Sequence, residues 1–383
     1  LIIGQKGCFS TGANLHNHRS NRMATHRINL MKIPLVIALF ILYLTTMISV
    51  AVPGTDMDGE CDVDGQDIYD VSRHPPVDVP ADIKVLADEF GTDNGCEPLV
   101  GIGDPVDGYP NWQERTMLVF TNMVRMAPGE YRDKYMDSHP IPSGGILNAA
   151  IYPPVHPVYW HLGLNQAARY HSEDMAFDCG LQHDSCDGTS IWDRIARFYK
   201  YNGYRSENVA YGYPSPMDTV NQFLCDRIGP YCAEDGSLAD GHRANIMSSS
   251  AREMGAGHAE SRYHFWTQDF AGRSPDLPSP VAAASHEFVD TEVVSFFLNY
   301  HDASGSSPPE TVYLVADNRR YDMTLDTGEL SSGTYRTDID LLPLKGCRNY
   351  FFLVTAANGT TYRYPGESFF YIFGEGSCLD NAP

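Results

Sequence analysis

The sequence predicts an α+β chain of 383 residues in which a middle domain of interleaved helices and strands precedes a small antiparallel β-sandwich. Three observations carry this. Apolar residues recur at helical spacing in WQERTMLVFTNMVRMA (112–127), LGLNQAARYHSEDMAF (162–177) and SIWDRIARFYK (190–200), while MGAGHA (254–259) and YHFWTQDFA (263–271) read as strands. From 286 onward the runs become short and rich in Val, Phe, Tyr and Thr: EVVSFFLNY, TVYLVADN, YDMTLD, TYRTDIDLLPL, NYFFLVTAANGTTYRYP and SFFYIFG, separated by Gly, Asn and Asp. Between the two patterns, RSPDLPSPVAAAS (273–285) mixes Pro, Ser and Ala as linkers do.

In chain order, residues 1–30 read as an upstream segment outside the fold, because the chain opens on Leu1 and Met23 and Met31 are both suitable starts. Residues 31–51 have the order of a secretory signal peptide: Met31-Lys32, an apolar run from Ile33, then small residues to Ala51. Cleavage there leaves no membrane span. Residues 52–110 form an acidic leader rich in Asp, Gly and Pro. Within it, DMDGECDVDGQD places Asp56, Asp58, Glu60, Asp62, Asp64 and Asp67 at positions 1, 3, 5, 7, 9 and 12 of a calcium loop, with Cys61 where such a loop wants its turn glycine.

The middle domain spans 111–273. Its first helix stops at Ala127-Pro128-Gly129, its second carries His171 on the apolar face as a core or boundary histidine, and its third turns Trp192, Ile195, Ala196 and Tyr199 inward. After a linker at 274–285, the β-sandwich spans 286–380. There Ala357-Asn358-Gly359 signals a hairpin, and Asn358 heads an N-x-[ST] glycosylation sequon on that surface turn. The sandwich reads as a spacer or as a binder of cell-surface glycans.

Cys8 aside, eight cysteines remain, an even count suited to an oxidising compartment. Nearest-neighbour pairing gives Cys61–Cys96, Cys179–Cys186, Cys225–Cys232 and Cys347–Cys378. The run CGLQHDSC at 179–186 also has the spacing C-x3-H-x2-C, but exported, paired cysteines argue for a disulfide clip that displays His183 rather than a zinc knuckle. Residues 1–51 hold five Lys/Arg and no acid, so a chain cleaved after Ala51 carries a formal charge of −27. Such a charge repels nucleic acid and anionic lipid and suits a calcium-rich exterior.

Four segments arrive in a telling order: LQHDS around His183, SENVAYG around Glu207, GHRANIM around His242 and FWTQDFA at the end. With YWHLGLNQAARYHSEDMA (159–176), they resemble the CAP superfamily of cysteine-rich secretory, antigen 5 and pathogenesis-related-1 proteins over roughly residues 112–272. The resemblance implies an α-β-α sandwich with a central groove where two histidines and two acids converge. His183, Glu207 and His242 match three of these positions; for the fourth, Asp226 and Asp240 compete. The residues alone support a site of this kind. Two neutral imidazoles can bind a divalent ion when carboxylates such as Glu207 and Asp226 hold their other N–H groups, and a zinc ion with only two protein nitrogens sits in an open, weak site. No nucleophile motif accompanies them.

The reading that follows is a secreted, non-enzymatic binding protein whose groove takes a small lipid, sterol or peptide. Two alternatives stand beside it: a metal-dependent hydrolase with Glu207 as base, and an adhesion protein acting through the sandwich.

Overall fold

A four-stranded sheet lies at the heart of the middle domain in the computed structural model, which describes residues 103–106, 108–136, 145–227, 230–275, 279–288, 293–316, 319–340 and 348–372. Its strands are β1 (Tyr159–Trp160), β2 (Arg205–Tyr211), β3 (Glu253–Glu260) and β4 (His264–Ala271), in the order β1-β3-β4-β2. β1 runs parallel to β3, and the other pairs are antiparallel. Around it stand α1 (Trp112–Met126), α2 (Pro128–Tyr135), α3 (Leu162–Asp174), α4 (Ile191–Phe198), α5 (Pro216–Cys225) and α6 (Gly241–Ile246).

Local chemistry sets the helix ends. Asn111 and Glu114 form a reciprocal capping box on α1, and Pro128 stands in the first turn of α2. Ser190 and Ser215 accept backbone N–H bonds at the starts of α4 and α5. Beyond Asp174, α3 widens into a five-residue π-helical turn, Met175–Cys179.

The period of two sorts the central sheet's side chains onto two faces. Met254, Ala256, Trp266 and Phe270 join the core that includes Met117, Phe120 and Val124 of α1. Gly255 and Gly257 face α3, where a Cβ would lie 2.0 Å from the Asn165 backbone nitrogen and 2.2 Å from the Ala168 carbonyl carbon respectively. Only glycine lets the helix backbone rest on the strand at this distance.

The later strands form two further sheets. One contains β5 (Val281–Phe288), β6 (Val293–His301), β9 (Thr324–Glu329) and β10 (Ser332–Asp340), in the order β5-β6-β10-β9. The other contains β7 (Pro309–Ala316), β8 (Arg319–Asp322), β11 (Asn349–Ala356) and β12 (Thr361–Tyr364), in the order β12-β11-β7-β8, with β13 (Phe370–Tyr371) on β11. Phe296, Leu298 and Tyr300 of β6 share a core with Leu314, Tyr350 and Phe352 of the second sheet. Phe297, between them, points the other way and packs on Phe120 of α1, with ring centroids 5.1 Å apart. A strand buried on both faces explains the largely apolar run VVSFFL.

The expected linker at 274–285 is part strand, since β5 begins at Val281 within it. The small residues that resemble a linker are small because α1 lies directly over them: Thr116 Oγ1 is 2.8 Å from Ser285 Oγ and donates to the His286 carbonyl at 2.6 Å. Helix α1 is consequently buried along its whole length from Glu114 to Met126. Trp192 also departs from expectation. It is 46% exposed, and the Arg205 guanidinium lies 5.3 Å from its ring centre, while Ile195 and Tyr199 do turn inward.

Asp104, ahead of α1, accepts bonds from the backbone N–H groups of Gly366, Glu367 and Ser368 near the C-terminal strands. Among the described residues, no helix is long and apolar enough to cross a membrane. Residues 1–51, the calcium-loop acids Asp56 to Asp67, and the pairs Cys61–Cys96 and Cys347–Cys378 lie outside the described residues.

Candidate functional site

Strand β2 is the edge of the central sheet and organises the site. Its Glu207 faces the α3 side and Asn208 the α1 side, so one residue pair addresses two clusters.

On the α3 side, His183 donates from Nδ1 to Glu207 Oε1 at 2.8 Å. The loop that carries His183 is closed by the Cys179–Cys186 disulfide, as expected, with Cα atoms 5.6 Å apart. Arg194 of α4, fully buried, pairs with Glu207 Oε2 and donates to the His183 carbonyl at 2.9 Å and to Ser185 Oγ at 3.2 Å. Directly across the ladder from Glu207 stands Asp269 of β4, also fully buried. Burial first, and the Glu207 charge second, push the Asp269 carboxyl well above the usual carboxylate range. The Glu207 hydrogen bond raises the His183 imidazole, against a smaller opposing effect of burial. His171 is buried, as expected for a core histidine. It donates from Nε2 to the Gln182 carbonyl at 2.9 Å, and burial lowers its pKa.

On the α1 side, His242 of α6 donates from Nδ1 to Asp226 Oδ1 at 2.5 Å, and its backbone N–H reaches Asp226 Oδ2 at 2.9 Å. Asp226 ends α5 in the left-handed region, φ 43°, a conformation more usual for glycine or asparagine. The competing acid, Asp240, is engaged elsewhere. It accepts from Tyr152 OH at 2.5 Å and from the Gly236 N–H at 2.6 Å. The second disulfide, Cys225–Cys232, forms as expected and opens the segment leading to His242.

Two asparagines join the clusters. Asn208 donates to the His242 carbonyl at 3.2 Å and to Gln268 Oε1 at 3.0 Å, and Asn245 donates to Asn208 Oδ1 at 2.9 Å and to the Glu207 carbonyl at 3.2 Å. Arg194, Asn208, Asn245 and Asp269 all escaped the sequence reading. Asn208 and Asn245 sit inside the SENVAYG and GHRANIM motifs, and a lone Arg or Asp in an otherwise apolar period marks a buried partner in need of a counter-group.

Both histidines therefore hold Nδ1 on a dedicated carboxylate and leave Nε2 for a ligand. They do not form a closed ligand set: among the described residues, the group of three or more His, Cys or carboxylate ligand atoms within 4.8 Å of one another is Asp174, Cys179 and Cys186. A cavity of about 230 Å³ lies away from the histidines, lined by Tyr109, Tyr159, Trp160 and Tyr364 around the closed Glu253–Arg273 ion pair.

A mixed four-stranded sheet between helices, with carboxylate-held histidines at its edge and disulfide-closed loops, defines an α+β domain. Residues 152–270 match the CAP family, described as the cysteine-rich secretory protein family, so the chain contains a CAP-family segment. A relative, the uncharacterized protein YkwD of Bacillus subtilis (strain 168), is 30% identical over 113 residues, which cover 29% of this chain and 37% of YkwD. Among solved structures, an extracellular protein containing an SCP domain from Bacillus anthracis str. Ames is similar at 22% identity and a TM-score of 0.26, over 31% of this chain and 35% of that one. An outer surface protein of Borrelia burgdorferi is similar at 15% identity and a TM-score of 0.26, over 31% of this chain and 80% of that one.

Proposed function

We propose that this chain is an exported CAP-domain protein that acts by binding rather than by catalysis, with the edge of β2 as its ligand site. The observation that supports it is the pairing of His183 with Glu207 and of His242 with Asp226. A carboxylate on Nδ1 fixes the tautomer and presents Nε2, the usual preparation of a histidine for a divalent ion. The donor set fits a weak, open zinc site. His183 and His242 would hold the ion through Nε2, and water would complete its shell. When bound, such an ion supplies a Lewis acid that recognises a polar headgroup of a small lipid, sterol or peptide. We read the helices on either side of the central sheet as the α-β-α sandwich of the family, and Asn358, on the exposed β11–β12 turn, as its glycosylation site.

Binding is favoured over hydrolysis by the state of Glu207. A general base needs a lone pair turned to water. Both Glu207 oxygens are engaged, Oε1 by His183 and Oε2 by Arg194, and the side chain is buried. Isothermal titration of the full chain with zinc tests the reading. Binding is expected to be weak in the parent and lost in the His183→Ala/His242→Ala double variant. Equal heats in both proteins, or none at millimolar zinc, remove the metal from the proposal. Turnover of an ester or peptide panel that disappears in Glu207→Gln restores the hydrolase.

A further inference from the structure

We propose that the segment from Asp174 to Cys186 is a second, redox-gated site for a soft divalent ion such as zinc or cadmium, opened when the Cys179–Cys186 disulfide is reduced. The inference stands apart from the His183/His242 reading. A carboxylate oxygen of Asp174 and the two sulfurs already lie within 4.8 Å of one another. In the oxidised chain the sulfurs are bonded to each other and cannot ligate. Reduced, they are two thiols with a carboxylate beside them, a three-ligand set that leaves the fourth tetrahedral position to water.

The loop does not depend on the disulfide for its position. The Gly180 N–H bonds the Met175 carbonyl at 3.0 Å, the Gln182 carbonyl accepts from His171 at 2.9 Å, the His183 carbonyl from Arg194 at 2.9 Å, and the Ser185 N–H bonds the Thr189 carbonyl at 2.9 Å. The Cys186 N–H donates to Asp174 Oδ2 at 2.7 Å, which holds the carboxylate at the site and leaves Oδ1 to an ion. Reduction therefore frees the sulfurs without releasing them. Access is selective as well: Cys179 is exposed, whereas Cys225 and Cys232 are each only 3% exposed, so a reductant meets the first bridge before the second.

The chemistry balances. A dithiol reductant delivers two electrons and two protons, leaving as its own cyclic disulfide, and two S–H groups form. The ion then displaces both thiol protons to solvent. The C-x3-H-x2-C spacing is thereby recast. Its cysteines ligate with Asp174 from the preceding helix, while His183 stays turned to Glu207.

The test uses the full chain, treated with a water-soluble phosphine, which reduces the disulfide and takes up oxygen from water. Cadmium is then added, and the thiolate-to-cadmium charge-transfer absorption is read against the untreated chain. The expected result is a band only after reduction, absent in Cys179→Ser/Cys186→Ser, with affinity about ten-fold or more lower in Asp174→Asn, where the amide oxygen still accepts the Cys186 N–H. His183→Ala is expected to leave the band unchanged. Alkylation of the reduced parent chain, followed by mass spectrometry, gives a reading that needs no variant: cadmium should protect Cys179 and Cys186. The proposal is overturned by equal alkylation of both cysteines with and without cadmium, by a band of undiminished size in the double serine variant, or by loss of the band in His183→Ala.

Discussion

Arg194→Met probes the charge arrangement beneath His183. The substitution roughly keeps the side-chain volume and removes the guanidinium that pairs with Glu207 and bonds the His183 carbonyl and Ser185. What remains is Glu207 and Asp269 facing each other across β2 and β4, both buried, with no buried cation between them. Removing one partner of a buried pair typically costs about 3–5 kcal/mol, because the other charge is left uncompensated. That is the loss expected in urea unfolding of the full chain at about pH 8. The sign of its pH dependence follows. A pocket that relieves two crowded carboxyls by taking up a proton in the folded state is favoured by acid, so the deficit should shrink toward about pH 5. The Arg194 charge also lowers the His183 imidazole in the parent, so the His183 titration seen by NMR should move up in the variant. A deficit below about 1 kcal/mol, or the same deficit at both pH values, would show that Arg194 acts through packing alone.

Gly257→Ala places a methyl 2.2 Å from the Ala168 carbonyl carbon and must push α3 off the sheet; overpacking of this kind costs about 1–3 kcal/mol, and an unchanged melting temperature would refute the close approach. Phe297→Ala opens a void between α1 and the β5–β6 sheet and should cost about 3–5 kcal/mol in urea unfolding; a loss near 1 kcal/mol would mean that the two parts are not packed through this ring. Stability should peak near the ordinary imidazole range and fall on either side. Burial depresses His286 to about 3 and His258 and His301 to about 4, contributions present above about 6.5 and lost as the unfolded chain takes up protons in acid. Burial raises Glu114 to about 7 and Glu287 to about 8, contributions present in acid and lost as pH climbs through those values. Melting temperature against pH checks the shape, and Glu287→Gln should flatten the alkaline limb; a monotonic curve would contradict it.

The sequence showed what repeats locally and hid what is paired at a distance. Helices α1, α3 and α4 were readable because their apolar periods are strong, and β3 and β4 because Met254, Ala256, Trp266 and Phe270 alternate toward one core. His183, Glu207 and His242 were readable only as an ordered set of motifs. Strand β2 was not, since Arg-Ser-Glu-Asn looks like a loop until Arg194 and Gln268 supply the partners that let it be buried. Helix α5 was not read either, because Pro216–Cys225 is too short to show a sustained apolar period. The expected linker at 274–285 failed for a steric reason: small residues spell a linker unless something packs on them, and what packs on them is a helix far back in the chain.

That helix ties the candidate site to the C-terminal sheets. The β5–β6 sheet holds α1 through Ser285, the His286 carbonyl and Phe297. From α1, Thr121 Oγ1 accepts from Gln268 Nε2 at 2.9 Å, Gln268 Oε1 accepts from Asn208, and Asn208 donates on to the His242 carbonyl. An unbroken run of packed and hydrogen-bonded groups thus leads from the C-terminal strands to one of the two histidines, through buried polar atoms with little freedom to rearrange. His183 is held differently, by the disulfide-closed loop and Arg194 on the opposite face of β2. The two histidines therefore rest on separate supports that meet only at the edge strand, where Asn245 bonds both the Glu207 carbonyl and Asn208. A ligand that engages both would couple the C-terminal sheets to the disulfide loop.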